Sequence, residues 1–353
     1  MSVYCRIASP TVLLRALHTV AVSRDGWATV VFTDSHVVLH VEGTDENMTA
    51  TCTLPKALFA EYAVVDTRFA VHIPTLIDAL LMLGPAVLTA STRAVLAYPT
   101  EDAKLLVELT PSARLSCSYP ASGGAAEVDA QMAVGQRILQ SLLVTRNVKD
   151  HVLDLRFAEA TLLAQVTLQG DVLRELIADV TAAQCTEVAL RVDPKQGLLM
   201  RGEGGPFGEV TARIAANSDV VLALSREQAG ETRVYAHHLA LACGVRGLGS
   251  GSGLNAGGNA RGRGGPTPNT AAGFSARDGR LSNADFILMG LAAAGGSGGG
   301  GGGAATLFGG FERLTLQINA QRQLSVLHTQ REHEQKVAVT VVVMPLCSVY
   351  DVL

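Results

Sequence analysis

The stretch VTLQGDVLRELIADV, residues 166–180, repeats the grammar of YCRIASPTVLLRALHTV, residues 4–20. Each is an alternating apolar run, a break, and a segment whose apolar residues recur at helical spacing. Val12, Leu13, Leu17 and Val20 match Val172, Leu173, Ile177 and Val180 at a constant offset of 160 (172 minus 12). Downstream, Asp34 and Gly43 match Asp193 and Gly202 at an offset of 159 (193 minus 34). Apolar matches alone are cheap in an aliphatic-rich chain. Here the order of elements matches as well: strand, helix, strand, Asp-containing turn, strand, Gly turn. The chain reads as an internal duplication, so it must fold as two like units.

The remaining segments fit that reading. WATVVF, HVVLHV and MTATCTL are β-branched runs separated by TDS and EGTDEN, whose Asp, Ser, Gly and Asn favour turns. IPTLIDALLMLG (73–84) changes period: Leu76, Leu80 and Leu83 share a helical face, Pro74 opens it and Gly84 closes it. AVLTAST, AVLAYP, KLLVELT and ARLSCSY return to strand. The small, polar PASGGAAEVDAQ (120–131) is a candidate linker, RILQSLLVTRNVK a connecting segment, and VLDLRF (152–157) a strand. In the second half the pattern breaks between Val245 and Gly310, in a run dominated by Gly, Ser and Ala. Glycine loses the most backbone entropy on ordering and has no side chain to bury, so this run reads as a flexible excursion. Strands resume at RLTLQI, QLSVLHT and KVAVTVVV.

Composition narrows the function. Hydrophobic residues are 48% and charged residues 17%, enough for a sizeable core, and aromatics are only 5%, so that core is aliphatic. A net charge of −4 argues against a wholly basic surface but leaves room for one basic face. Six well-separated cysteines with no CxxC pair read as reduced thiols of a cytosolic or nuclear protein. Arg6, Arg15 and His18 interrupt the apolar N-terminus, which argues against a secretory signal. No charge-free apolar run is long enough for a bilayer, so no membrane partner is expected.

Catalytic chemistry is poorly supported. Metal-dependent nucleases hold two cations with closely spaced carboxylates. Here the acidic pairs Asp45-Glu46 and Glu101-Asp102 lie in apparent turns, and no DxE pair occurs. His237-His238 and the His328/His333 pair lack Cys or carboxylate companions in sequence, so no metal site and no cofactor are expected. GEGGPFG (202–208) lacks the Lys-Ser/Thr ending of a phosphate loop and reads as a hairpin. No serine nucleophile elbow is present. RGRGG (261–265) reads as solubilising linker rather than a nucleic-acid contact, and NADFILMGLAAA (283–294) is the one apolar island of the Gly-rich run.

Taken together, LDLRFAEATLLAQVTLQGDVLRELIADV (153–180), VLLRALHTV (12–20) and FAVHIPTLIDALLMLG (69–84) resemble the Rad-one-type subunit of the PCNA-like checkpoint clamp, the nine-one-one (9-1-1) heterotrimer. ATVVFTDSHVVLHVEG and the terminal VVVMPLC are in register with the same pattern. The resemblance implies an α+β DNA-clamp fold: two tandem domains of antiparallel sheet, each with two helices on the inner face. Domain 1 would span 1–119, a connector 120–150, and domain 2 151–353 with the Gly-rich insert at about 245–310. That insert is a departure from the family, falling where the second helix of the second half should end.

The resemblance also implies a function. The chain would be a non-catalytic subunit in the nucleus, joined to Rad-nine-type and Hus-one-type paralogues. A clamp loader would set the ring on duplex DNA without regard to sequence, and the ring would serve checkpoint kinase activators and repair enzymes. Alternatives are a homotrimeric replication clamp and a 3'-5' exonuclease. The implied DNA-facing residues are Arg15, His18, Arg174 and His237, although strict alignment sets Arg174 against Leu14 and Glu175 against Arg15. Asp78 leaves the second helix of the first half without a cation. Open edge strands for neighbouring subunits are expected at 114–119 (Arg114, Leu115, Ser116, Cys117) and 209–214 (Glu209, Val210, Ala212, Arg213).

Overall fold

The computed structural model describes residues 2–23, 25–83, 92–100, 102–111, 138–148, 152–206, 208–225, 228–245, 311–330 and 337–346. The first half runs β1 (Val3–Ile7), α1 (Pro10–Val20), β2 (Trp27–Phe32), β3 (His36–Glu42), β4 (Met48–Pro55), β5 (Phe59–Val64), β6 (Thr67–His72), α2 (Ile73–Leu80), β7 (Arg93–Tyr98), β8 (Leu105–Thr110) and β9 (Leu139–Leu143). A short strand, β10 (Thr145–Arg146), follows. The second half runs β11 (Leu162–Gln169), α3 (Gly170–Ala182), β12 (Glu187–Asp193), β13 (Gly197–Gly205), β14 (Gly208–Ile214), β15 (Val221–Leu224), β16 (Gly230–Tyr235), α4 (Ala236–Ala242), β17 (Arg313–Asn319), β18 (Leu324–Thr329) and β19 (Ala338–Val343).

The two series agree element for element, and so do their pairings. β1 lies between β5 and β7, with β8 and β9 following, as β11 lies between β15 and β17, with β18 and β19 following. β6-β2-β3-β4 corresponds to β16-β12-β13-β14. The matched turn residues hold their places: Asp34 lies in the β2–β3 turn, where Thr33 Oγ1 accepts the His36 N–H at 3.2 Å, and Asp193 opens the β12–β13 turn. Asp193 accepts the N–H groups of Lys195 and Gln196 at 2.8 and 3.1 Å, the side-chain turn that makes aspartate favourable there. The matched glycines are both close-approach positions, against different neighbours. A Cβ at Gly43 would lie 3.0 Å from the Met48 carbonyl oxygen, and one at Gly202 2.7 Å from Cys185 Sγ.

The halves meet where β4 pairs antiparallel with β19, Thr51 opposite Thr340. This junction fuses sheets of both halves into one ten-stranded sheet, β10-β6-β2-β3-β4-β19-β18-β17-β11-β15. β19 alternates half-buried and buried residues, so one face is dry: Val339, Val341 and Val343 are fully buried. α1 and α4 both pack on this strand. α1 turns Leu13, Leu17 and Val20 inward, with Leu14 beside them, and α3 turns Leu173, Ile177 and Val180 inward, three of the four pairs matched in sequence; the fourth, Val12 and Val172, is half-buried. The core is one contiguous aliphatic cluster drawn from both halves.

Two sequence expectations change. VLDLRF is not a strand. Asp154 accepts the Arg156 N–H at 2.8 Å, Arg156 turns left-handed at φ 52°, and Phe157–Glu159 form a single 3-10 turn. These local bonds outcompete the apparent alternation. RILQSLLVTRNVK is more than a connecting segment: it supplies β9, which pairs with β8, and β10, which pairs with β6. AVLTAST up to its last residue, the expected edge at 114–119, the linker at 120–131 and almost all of the Gly-rich run lie outside the described residues.

The last turn of α4 is tied down by His328. The ring lies 2.7 Å from the Ala242 carbonyl through Nε2, which therefore carries the proton, and Nδ1 is buried with no partner. Burial pushes the His328 pKa down to about 4; the Ala242 bond acts the other way and the Arg174 charge in the same direction. The unfolded state, with its pKa near the ordinary ~6.5, binds this proton first as pH falls. His328 therefore contributes nothing to pH dependence above about 6.5 and destabilises the fold progressively below it. Urea unfolding should show ~2 kcal/mol lost from this residue between pH 7 and pH 5, a loss missing from His328→Gln. Equal pH slopes for the two proteins would contradict this account.

Candidate nucleic-acid interface

Each half pairs its two helices, α1 with α2 and α3 with α4. On α1 the residues not fully buried are Thr11, Val12, Arg15 and His18, a stripe at helical spacing. Arg15 and His18 share that outward stripe, and His18 lies in the last turn, where the helix dipole favours a cation. The matching helix is different. α3 exposes Asp171, Glu175 and Asp179, three carboxylates at i, i+4 and i+8. Arg174 is engaged internally: its guanidinium donates to the Phe311 carbonyl at 3.0 Å and pairs with Asp171, and its side chain is only 15% exposed. Asp78 on α2 is half-buried. Among the described helical residues, the outward groups are thus acidic in balance.

His237 is exposed in the first turn of α4, its ring 4.1 Å from that of His238. His238 is buried and lies 3.7 Å through Nε2 from Asp45 Oδ2, which comes from the β3–β4 turn of the other half. Burial lowers the pKa of both histidines, and Asp45 pulls the other way. The carboxylate companion missing from the local sequence is supplied by the fold.

The sheet edges form the second part of the interface. β14 stands at the edge of the four-stranded sheet, with Glu209, Thr211 and Arg213 outward and Val210 and Ala212 half-buried. Glu209 is held by Arg201 at 2.7 Å. In the five-stranded sheet, β9 is an edge. Its exposed face and flanks carry Ile138 (53% exposed), Gln140, Leu142 (55%) and Val144 (64%), a nearly apolar stripe at period two. An edge that is both unpaired and apolar is an aggregation hazard unless a partner covers it.

Residues 7–241 match the family model for repair protein Rad1/Rec1/Rad17. The chain belongs to the Rad1/Rec1/Rad17 family. The solved structures it resembles include the proliferating cell nuclear antigen of Entamoeba histolytica, with TM-score 0.62 and 8% identity over 98% of this chain and 99% of that one. PCNA from Thermococcus kodakaraensis gives TM-score 0.60 and 11% identity over 98% of this chain and 100% of that one. A search of curated protein sequences gives no significant match. At such identities the likeness shows the fold alone: this Rad1-family chain has the clamp architecture. Among the described residues, no helix is long and apolar enough to cross a membrane.

Sequence reasoning missed the apolar edge of this Rad1-family chain. Its signal was present in ILQSLLV, where residues 138, 140, 142 and 144 alternate with 139, 141 and 143. Apolar residues occupy both sets, which hid the period.

Proposed function

We propose that this Rad1-family chain is a non-catalytic subunit of a heterotrimeric sliding clamp that encircles duplex DNA and serves the DNA-damage checkpoint and repair. The β4–β19 junction carries the reading. β14 is the second-half counterpart of β4, and β9 the first-half counterpart of β19. They are the same two edges, each lacking the other. A neighbour that offers a β14-type strand to β9, and its own β9-type strand to β14, repeats the internal junction at every boundary. Such head-to-tail contacts close into a ring when the rotation allows, and three two-unit chains make six units.

The character of the edges supports different partners over a homotrimeric replication clamp. Each edge strand turns its buried face to the core, so pairing sets the two exposed faces side by side. Self-association would place Ile138, Leu142 and Val144 beside Glu209, Thr211 and Arg213, apolar against charged. Two paralogues, of Rad-nine and Hus-one type, relieve that mismatch. The acidic balance of the helices makes the partners the main source of phosphate-binding cations. A loader would open the ring, and the site of action would be the nucleus. Nuclease chemistry has less support: Asp102 is held by Lys104 at 2.8 Å, and Asp45 faces histidines rather than a second carboxylate.

The test is topological. Assembled with both paralogues and a loader, the ring should stay on closed circular DNA and slide off when the circle is cut. A complex that dissociates equally from both forms does not encircle DNA. The isolated chain should bind duplex weakly, with a log K against log salt slope no steeper than about −2, as one or two phosphate contacts dictate. A slope of about −4 or steeper would mean that this chain carries a basic face of its own.

A further inference from the structure

We infer that Asp45, His237 and His238 form a divalent transition-metal site that ties the first half of the chain to the second. The ligating atoms of the three residues all lie within 4.8 Å of one another. The 3.7 Å between His238 Nε2 and Asp45 Oδ2 is too long for a charge-assisted hydrogen bond, which runs at ~2.7–2.9 Å. It is close to the ~3.3 Å edge between two ligands of a tetrahedral ion with bonds of ~2.0–2.1 Å. The Asp45 and His237 side chains are exposed and have room to turn toward a shared ion, while buried His238 is held in an edge-on contact with Tyr235.

The donor set identifies the class of ion. Two imidazoles and one carboxylate suit zinc and its first-row neighbours, whereas calcium and magnesium favour all-oxygen ligands. Three protein donors leave the fourth position to water or to an incoming donor.

The position suggests the purpose. Asp45 stands two residues before Asn47, whose carbonyl accepts the Met344 N–H at 2.8 Å just beyond β19. His237 and His238 belong to α4, which packs on β19. An ion here brackets the end of the β4–β19 junction and ties a turn of one half to a helix of the other. Because it binds the folded form, it would raise stability by mass action. The inference is independent of ring assembly, since every ligand lies in one chain.

The test uses the full chain after chelator treatment. Titration with zinc, followed by calorimetry, should give one ion per chain at this site and a higher melting midpoint. Cobalt substitution should give the visible absorption of a tetrahedral or five-coordinate site with nitrogen and oxygen ligands. Asp45→Asn and His237→Gln alter exposed residues and should leave circular dichroism unchanged. Each should weaken zinc binding at least about tenfold and abolish the shift in melting midpoint. His238→Gln should do the same, with its fold checked separately because the residue is buried. Failure of the chain to bind zinc overturns the site. So does zinc that binds Asp45→Asn and His237→Gln as it binds the wild type, because the ion would then sit elsewhere.

Discussion

Replacing Leu142 and Val144 together with aspartate should abolish ring assembly and leave the chain folded. Leu142 on β9 and Val144 just beyond it are both more than half exposed, so the free chain loses little when they become charged. In the assembled ring they would lie beside a partner strand, where a carboxylate without a partner costs several kcal/mol to desolvate. The expected result is a loss of at least ~100-fold in affinity for the paralogue that covers β9, or about 3 kcal/mol. Size-exclusion chromatography of the three mixed subunits measures it, with circular dichroism as the folding control. On the opposite edge, Ala212→Pro in β14 introduces a residue with no N–H to donate and should weaken the other contact. Glu209→Ala should matter much less, because Arg201 already holds that carboxylate in an exposed pair. An intact trimer from the double aspartate variant would show that the ring closes elsewhere, or that there is no ring.

The second large effect tests the duplication itself. Leu17→Ala and Ile177→Ala truncate matched residues, one on α1 and one on α3, at 0% and 1% exposure. Each should cost ~2–5 kcal/mol, the transfer energy of the lost methyl groups plus the cavity left behind. If the halves are built alike, the two costs should be similar, and urea unfolding would measure both. A cost below about 1 kcal/mol at either position would mean that its helix is not packed as its counterpart is.

The parts of this fold that were legible in the sequence are those governed by local periodicity. α1 and α3 announced themselves through Leu13, Leu17 and Val20 and their partners, because a helix buries one stripe whatever it packs against. The Asp193 turn was legible for the same reason: an aspartate that bonds the backbone two residues on makes a turn by itself. What stayed hidden depends on residues distant in sequence. Arg174 looked like a free cation because Phe311 lies beyond the Gly-rich run, and only folding brings its carbonyl under the guanidinium. His237 and His238 looked bare because Asp45 belongs to the other half. β9 was missed because none of the described residues covers its apolar face, so nothing in the local pattern pointed to it. The edge expected at 114–119 lies outside the described residues, and β9 holds the place at the end of that sheet.

The pairing of β4 with β19 also bears on how the molecule is made. β4 spans Met48–Pro55 and β19 spans Ala338–Val343, so the strand that completes the central sheet is synthesised long after its partner. A nascent first half leaves the ribosome with β4 open, and it must remain so until β19 has emerged. Contacts of such long sequence separation close slowly, since the intervening chain must first be brought together. During that interval β4 can accept the β19 of another nascent molecule as readily as its own. Crowded translation of this protein should therefore favour strand-exchanged dimers, and chaperones that shield unpaired strand edges should have their largest effect before β19 is released.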